Sequence, residues 1–390
     1  MFGERKFKRK SIKLYDIKYL VLRYMVYKQM ITPPINKLDN FAIENKRGDN
    51  RVLYLDILKC FAIFLVIWGH TIQYFKSTVY FDEPIYRIIY SFHMPLFMAL
   101  SGYFSESSYR KGFLSGIIKR GLRLLLPIIP FTIFILLLTI QDINISTVQN
   151  TFFNSFWFLK SAFICWCLNY AVVKWFKFNI IGIIGVLFLS QLIGQFQVSV
   201  MYPAFLLGYI LKIREHIFNY KLCCILSAIL FVVLLIFWNK ANWTHTYYSL
   251  LPVIKGLPIN GEMILRYYHK IFIGLAGSVF FITLFKLAFG GHKESEAPKW
   301  LNYVGRNTLG IYLIQTIILE NIASRYINFD SIEFITFNFL IVPTISIIFL
   351  MCCIGIIHII NKFNYISFFC LGEPLQSRQN RKRKYINAQN

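Results

Sequence analysis

The sequence predicts an all-α protein: a polytopic transmembrane helix bundle of about ten spans, with both termini in the cytoplasm. Of the 390 residues, 56% are hydrophobic and only 15% are charged, whereas soluble domains carry about 25% charged residues. Apolar runs of membrane-spanning length recur along almost the whole chain. The Lys and Arg residues lie mainly in the tails and in alternate loops, as is typical of the cytoplasmic segments of membrane proteins.

The predicted elements begin after a basic cytoplasmic tail, residues 1–50, which contains a Pro33-Pro34 break. Its stretch 11–31 alternates apolar and basic residues, and it either lies on an anionic membrane surface or belongs to a disordered tail. The transmembrane domain is predicted over 51–365, and a second basic cytoplasmic tail over 366–390. The ten spans lie at about 53–75, 84–104, 122–140, 157–176, 179–196, 198–211, 221–238, 270–289, 302–323 and 335–361.

The charges of the loops support this topology. The predicted outer loop 141–156 has no Lys or Arg, whereas the predicted inner segment 105–121 has four. Because both basic tails belong on the inner side, the number of spans is even. Spans five and six are interrupted by Gln191, Gln195 and Gln197, and we expect half-length or broken helices there.

The composition excludes several classes of function. The net charge of +24 reflects basic residues that cluster in the tails and in alternate loops, so nucleic acid is not an expected partner. The eight cysteines lie mostly in apolar stretches and show no zinc, haem or iron–sulfur spacing, so no metal site is expected. The absence of a Walker loop and of a Gly-x-Ser-x-Gly elbow argues against P-loop nucleotide hydrolysis and α/β-hydrolase chemistry.

An ionisable stripe runs along the first predicted span. His70 lies inside an otherwise apolar helix, where an ionisable side chain costs a few kcal/mol or more. Lys59 precedes it by eleven residues, which at about 100° per residue returns to within roughly 20° of the same face. Asp56 lies about 40° to the other side, so the three groups share one face over roughly 20 Å. This face is expected to contact a partner helix or a wet cavity.

The second predicted span contains another intramembrane histidine, His93. Pro95 follows it, frees a backbone carbonyl and tends to kink the helix. Ser101-Gly102 permits the close approach of another helix. Two interpretations of His93 are open: a functional group beside His70, or a packing residue bonded to the backbone.

A basic cluster, Lys119-Arg120-Gly-Leu-Arg123, precedes the third predicted span. Arginines at a membrane interface commonly follow from topology alone. However, the i, i+3 spacing places two guanidinium groups on one helix face, where they fit a phosphate. Both interpretations remain open at this point.

Five groups of residues together resemble the acyltransferase-3 family of integral membrane acyltransferases, bacterial proteins that O-acetylate surface polysaccharides and related glycans. They occur in the family's order over about 55–315. The matching pieces are Leu55-Asp56-Ile-Leu-Lys59 leading to Trp68-Gly69-His70; Ser91-Phe92-His93-Met94-Pro95-Leu96-Phe97 ending in Ser101-Gly102-Tyr103-Phe104; Arg120 and Arg123 before Leu126-Pro127; Phe156-Trp157-Phe158-Leu159; and Gly305-Arg306-Asn307-Thr308-Leu309 through Ile311-Tyr312. The sequence departs from many members at Lys59 (often Arg), at Gln315 (often His) and in an Arg-x-x-Arg spacing.

The resemblance implies transfer of an acyl group, most often acetyl, from cytoplasmic acyl-CoA to a hydroxyl of a surface polysaccharide or lipid-linked sugar. It implies a multi-pass protein of the bacterial inner membrane, with acetyl-CoA as co-substrate and no permanently bound cofactor. The predicted catalytic residues are His70, His93, Asp56 and Lys59, and the predicted donor-binding residues are Arg120, Arg123 and Lys59. His70 acts either as a general base or as a transiently acylated nucleophile. His93 orients it or stabilises the oxyanion.

Two other classes of function fit the same stripe. A transporter or exporter of a glycan or an anion uses intramembrane His and Lys residues along its translocation path. A structural partner in a polysaccharide-synthesis complex requires neither histidine for chemistry. Consumption of an acyl-CoA thioester distinguishes the acyltransferase from both.

Overall fold

The computed structural model describes residues 52–76, 80–110, 112–138, 144–244, 249–256, 260–292 and 298–375. The predicted tail 1–50, its stretch 11–31 and the C-terminal residues from 376 onward lie outside these ranges. Within the described ranges the chain is helical and contains no β-strand. The prediction of an all-α fold is therefore confirmed.

The helices of eight residues or more in the described ranges are named α1 to α14 in chain order. They are α1 Leu53–Phe75, α2 Pro84–Tyr103, α3 Phe113–Leu124, α4 Ile128–Leu138, α5 Ile145–Asn154, α6 Trp157–Tyr170, α7 Ile180–Gln191, α8 Val198–Ile213, α9 Tyr220–Ile236, α10 Gly261–Phe289, α11 Lys299–Arg306, α12 Thr308–Gln315, α13 Val342–Ile360 and α14 Asn364–Leu371. Three π-helical turns extend them: Ala171–Trp175 after α6, Thr316–Ile322 after α12 and Phe337–Ile341 before α13.

Asparagine caps explain where several helices begin. The side chains of Asn144, Asn179, Asn219 and Asn260 each accept a hydrogen bond from a backbone N–H in the first turn of α5, α7, α9 and α10 respectively. Such a side chain satisfies one of the N–H groups that a helix leaves without an intrahelical partner. Each cap therefore marks the residue at which the chain leaves a loop and enters an apolar helix.

Five helical segments among the described residues are long and apolar enough to cross a membrane: Leu53–Phe75, Phe113–Leu138, Gln195–Ile213, Gly261–Phe289 and Phe334–Ile360. A sixth candidate is the pair Ile145–Asn154 and Trp157–Trp175, which is bent by 61°. Helix α7 has only 12 residues and ends at Gln191, in agreement with the half-length helix expected there. The count of ten spans and the cytoplasmic location of the termini stay predictions.

The core of the bundle forms where α2 crosses α8 and α10, with α1 packed against α2 and α10. The crossing of α2 and α8 depends on two glycines. A Cβ atom at Gly102 would lie 1.9 Å from the carbonyl oxygen of Phe205, and one at Gly208 would lie 1.8 Å from that of Ala99. Small residues of this kind let helix backbones approach closely in membranes. The prediction of a close helix approach at Ser101-Gly102 agrees with this contact.

Two helix breaks lie beside each other at one end of the bundle. Phe156, between α5 and α6, and Phe196 and Gln197, before α8, have left-handed backbone conformations with φ of 53°, 53° and 55°. Non-glycine residues rarely adopt this region, and they do so mostly where surrounding structure holds them. Lys160 holds the first break by donating to the backbone carbonyls of Phe152, Phe153 and Ser155 at the end of α5. These breaks expose backbone and polar side chains within the helix bundle.

Candidate active site

A cavity of about 520 Å³ lies among α1, α2, α6, α8, α10 and the segment 312–321, within the range of about 300–1,000 Å³ typical of small-molecule sites. Its lining combines aromatic and polar side chains. The polar and ionisable ones are His70, Gln73, Tyr74, Tyr90, Ser91, His93, Asn154, Ser155, Gln197, Lys270, Tyr312, Thr316, Glu320 and Asn321. The His70 ring therefore faces a cavity inside the bundle, as its position in the stripe predicts.

His70 contacts two hydrogen-bond acceptors through one ring nitrogen. Its Nδ1 lies 2.8 Å from Oε1 of Glu320 and 3.0 Å from Oε1 of Gln315. The orientation of the Gln315 amide follows from its other end, where Nε2 donates to Oγ1 of Thr316 at 2.9 Å. Because both neighbours accept, Nδ1 carries the proton of the neutral ring and Nε2 carries the lone pair. This is the tautomer that a general base requires.

A wide helical turn explains how Gln315 and Glu320 reach the same ring. In an α-helix, residues five apart lie about 140° from each other around the axis. Glu320 instead lies in the π-helical turn Thr316–Ile322, which follows α12 directly. A π turn holds more residues per turn and occurs frequently at functional sites. It brings the carboxylate back toward the side of the helix that faces His70.

Glu320 is held by groups besides His70. Its Oε2 accepts a hydrogen bond from the Tyr74 hydroxyl at 3.0 Å, and Nε2 of Gln315 lies 3.5 Å from Oε1. Donors of this kind stabilise a charged carboxylate in a low-dielectric site. Glu320 was absent from the residues predicted from the sequence, although it is an ionisable residue inside the predicted span 302–323. The rule that identified His70 applies equally to it.

His93 is 1% exposed and lines the same cavity. Its Nδ1 lies 2.8 Å from the carbonyl oxygen of Ile89, so Nδ1 donates and the neutral ring keeps an acceptor at Nε2. The ring of Tyr90 contacts both histidines, with centroid distances of 4.6 Å to His93 and 6.3 Å to His70. The structure thus brings the two histidines to one cavity. It also gives His93 the backbone bond that the packing interpretation requires, and a neutral His93 in this tautomer has no proton for an oxyanion.

Asp56 and Lys59 lie away from the cavity. Lys59 Nζ pairs with Asp56 Oδ1 at 3.0 Å and lies 4.0 Å from the centroid of the Phe104 ring. Asp56 is buried against α11, where a Cβ at Gly305 would lie 2.8 Å from the Asp56 carbonyl oxygen. Eleven residues of helix separate Lys59 from His70, about 16 Å along the axis. The structure therefore does not bring these two predicted catalytic residues to His70, and their catalytic role stays a prediction.

The two predicted donor-binding arginines lie on α3 but differ in their surroundings. Arg120 is half-buried: it donates to Ser108 Oγ at 3.4 Å and lies 5.8 Å from the centroid of the Trp166 ring. Arg123, three residues on, is exposed. Helical spacing places both on one side of α3, but α6 covers only one of them. Arg123 is the more exposed of the two residues.

Lys270, on α10, is the cationic side chain among the described residues that line the cavity. It is 7% exposed. It was also missed in the sequence, because it falls at the first residue of the predicted span 270–289, where a lysine is an ordinary interfacial residue. The long helix α10 in fact begins about two and a half turns earlier, at Gly261, and this carries Lys270 into the bundle.

The described residues contain no group of three or more His, Cys, Asp or Glu side chains able to hold a metal ion. The described lining of the cavity offers an oriented imidazole and carboxylate pair, one lysine and several hydroxyl and amide groups. Such a set suits proton transfer to and from a substrate hydroxyl.

Comparisons with known proteins agree with this chemistry. The acyltransferase-3 family model, described as an acyltransferase domain, matches residues 52–360. The nodulation protein NolL of Mesorhizobium japonicum is 25% identical over 370 residues, which cover 87% of this chain and 95% of that protein. The nodulation protein NolL of Sinorhizobium fredii is 36% identical over 86 residues, 21% of this chain and 24% of that protein. No solved structure matches the chain significantly. Since the family match includes the helices that surround the cavity, the chain belongs to the acyltransferase-3 family and is a membrane acyltransferase.

Proposed function

We propose that this acyltransferase moves an acetyl group from acetyl-CoA to a hydroxyl of a polysaccharide or lipid-linked sugar, with His70 as the general base. The observation that carries the proposal is the contact of His70 Nδ1 with Glu320 in a cavity of substrate size. A carboxylate at Nδ1 fixes the imidazole tautomer and stabilises the imidazolium that forms during the reaction, as in hydrolases with a His–acid pair.

The proposed step is a direct transfer. The lone pair on Nε2 of His70 takes the proton of the acceptor hydroxyl as its oxygen attacks the thioester carbonyl carbon. The C–O bond forms, and the carbonyl oxygen becomes an oxyanion. The intermediate then collapses with cleavage of the C–S bond, and the imidazolium returns its proton to the leaving CoA thiolate. The carboxylate of Glu320 stabilises the protonated ring that forms in this step.

The donor is proposed to enter from the Lys59 end of α1, which we assign to the cytoplasmic side. Basic residues gather there: Lys212 and Lys286 both pair with Glu215. Arg123 offers an exposed guanidinium to the phosphates of CoA, and Arg120 supports the same helix face from its contact with Trp166. For Asp56 and Lys59 we propose a supporting role, in which their ion pair stabilises the packing of α1 on α11. The pantetheine arm would cover the distance of about 16 Å to His70.

The acceptor is proposed to reach the cavity from the opposite end, where α5, α6 and α8 break. Asn154, Ser155 and Gln197 line the cavity at these breaks. Amide and hydroxyl groups of this kind commonly hydrogen-bond sugar hydroxyls and orient a ligand. With the topology predicted from the loop charges, this end faces the outside of a bacterial inner membrane. Surface glycans and lipid-linked sugars are both accessible there.

The proposal is tested with the purified full chain in proteoliposomes. Release of the CoA thiol from acetyl-CoA is measured for the wild type, His70→Ala and His216→Ala. His216 is an exposed histidine outside the cavity and provides the matched control. We expect His70→Ala to abolish thiol release while the protein inserts normally, and His216→Ala to match the wild type.

The acceptor is tested in cells that carry or lack the gene, by mass spectrometry of their glycans. An acetyl increment that depends on the gene and on His70 supports the proposal. Unchanged thiol release by His70→Ala removes this residue from the mechanism. Gene-dependent movement of a glycan or anion across the membrane, without consumption of acetyl-CoA, would instead assign the cavity to a transporter.

A further inference from the structure

A buried lysine that lines the same cavity as two histidines requires an explanation that the base mechanism does not provide. Lys270 lines the cavity with His70 and Glu320 and is 7% exposed. An ammonium group this deep in a helix bundle is expensive to bury, and such residues are retained mainly at functional sites. We propose that Lys270 stabilises the oxyanion of the tetrahedral intermediate in the acyl transfer proposed above.

The packing of α10 places Lys270 near the depth of the reacting groups. Where α10 crosses α2, a Cβ at Gly274 would lie 2.6 Å from Cγ of Pro95 and 3.6 Å from the carbonyl oxygen of Ser91. Lys270 precedes Gly274 by one helical turn, about 6 Å along the axis. Ser91 and Pro95 flank His93 in the sequence, and all three line the cavity. Lys270 therefore enters the cavity beside the segment that carries His93.

Three polar groups near the two histidines direct their protons to other acceptors. His93 directs its Nδ1 proton to the Ile89 carbonyl. The hydroxyl of Tyr74 donates to Glu320, and that of Tyr90 donates to Gln73. Glu320 is an anion and repels a second negative charge. Lys270 is thus the side chain among the described lining residues that brings a positive charge to the cavity.

The charges of the reaction balance with this assignment. When the hydroxyl proton moves to His70, the imidazolium is neutralised by Glu320, and the new negative charge lies on the former carbonyl oxygen. Lys270 then provides the opposite charge in a medium of low dielectric constant, where a fixed cation acts strongly. Removing one donor to an oxyanion in a hydrolase lowers kcat by about 10²- to 10³-fold.

The test uses water as the acceptor, because acetyl-CoA hydrolysis forms the same kind of oxyanion without any sugar. Thiol release by the full chain in proteoliposomes is compared for the wild type, Lys270→Met, Lys270→Arg and Lys255→Met. Lys255 is exposed and lies outside the cavity lining. Rates are normalised to folded protein by titration of acetyl-CoA binding sites. We expect Lys270→Met to lose about 10²-fold or more in kcat with unchanged affinity for acetyl-CoA, Lys270→Arg to recover part of the rate, and Lys255→Met to match the wild type.

The other outcomes separate this inference from the proposed function on which it rests. If thiol release depends on His70 but not on Lys270, the oxyanion role is overturned and the base mechanism stands. If Lys270→Met hydrolyses acetyl-CoA normally but needs more of an anionic glycan acceptor, Lys270 recognises the acceptor and the oxyanion role is again overturned. If thiol release does not depend on His70, the proposed function fails and the inference fails with it. A loss of acetyl-CoA binding sites in both Lys270 variants assigns the residue to folding.

Discussion

The two ends of α1 carry ionisable groups in contrasting surroundings. At one end, Lys59 pairs with Asp56 on its own helix and lies over the Phe104 ring, while Gly305 closes the backbone around Asp56. At the other end, His70 pairs with Glu320 across the bundle and also faces a cavity. Both ends satisfy their charges, but only the second leaves a ring nitrogen for a substrate. A buried ionisable side chain indicates a catalytic role when one of its polar atoms is paired and another faces open space.

The largest expected effect that tests this contrast comes from Glu320→Gln. The change keeps the shape of the side chain, but it removes the charge that stabilises the imidazolium and allows the amide to donate to Nδ1, which fixes the wrong tautomer. The comparable change in a serine protease lowers kcat by about 10⁴-fold, and we expect a loss of about 10³- to 10⁴-fold in thiol release from acetyl-CoA. Glu262→Gln, in an exposed pair with Arg266, is the matched control. If Glu320→Gln released thiol at the wild-type rate, the pair of His70 and Glu320 would have a structural role, like the pair of Lys59 and Asp56.

The structural role of the Lys59–Asp56 pair is tested by measuring the thermal stability of variants. Lys59→Met leaves the Asp56 carboxylate buried without its partner, and an uncompensated buried charge costs about 1–3 kcal/mol or more. We expect a lower thermal unfolding temperature for Lys59→Met in detergent, a recovery in the double variant Asp56→Asn with Lys59→Met, and thiol release per folded protein within a few-fold of the wild type. Normal stability combined with weakened acetyl-CoA binding would instead support the donor-binding role that the sequence predicts for Lys59.

The two arginines of α3 allow a similar comparison, between an exposed and a packed side chain, for the binding of the acetyl-CoA donor. Arg123 is exposed, and we expect Arg123→Ala to raise the KM for acetyl-CoA about tenfold, because it loses one charge-assisted contact with phosphate. Arg120 packs on Trp166 and donates to Ser108, so Arg120→Ala is expected to lower the unfolding temperature as well. Titration of acetyl-CoA binding measures both effects separately. An unchanged affinity in Arg123→Ala would assign this residue to membrane topology.

The sequence predicted those features of the structure that follow from α-helical periodicity, and it did not predict those that depend on a π turn or on tertiary contacts. The all-α class and His70 in a cavity follow from apolar length and from one ionisable residue in a span, and the structure agrees with both. Glu320 could have been identified as an ionisable residue inside a span, by the rule that identified His70. Its contact with the same ring as Gln315 could not be predicted, because a π turn changes which residues share a face. Arg120 and Arg123 share a face of α3, as their spacing predicts, but only the tertiary contact with Trp166 distinguishes them. Sequence periodicity specifies a helix face, whereas the partner of that face is set by packing.

The smallest expected effect concerns the helix ends near Lys59. Glu215 lies between α8 and α9, accepts a hydrogen bond from Lys286 and lies 3.7 Å from Lys212. Partial burial opposes ionisation of Glu215, but the hydrogen bond and charge of Lys286, with the charge of Lys212, outweigh it and hold the pKa of this carboxyl below its ordinary value of 4.5. A lowered pKa stabilises the fold above the ordinary value, and this contribution is lost as the pH falls through the folded-state pKa.

Because Glu215 is partly exposed, the contribution is screened and amounts to about 0.2–1 kcal/mol. We expect Glu215→Gln to unfold at a slightly lower temperature than the wild type at pH 7. The difference is expected to shrink below pH 4.5 and to disappear as the pH falls through the lower folded-state pKa of Glu215. Unfolding temperatures of the two proteins in detergent between pH 3 and pH 7 measure this. A difference that persists at low pH would show that Glu215 acts through packing rather than through its charge. The Lys59 end of α1 would then be stabilised by packing rather than by charge, and its difference from the His70 end would be larger.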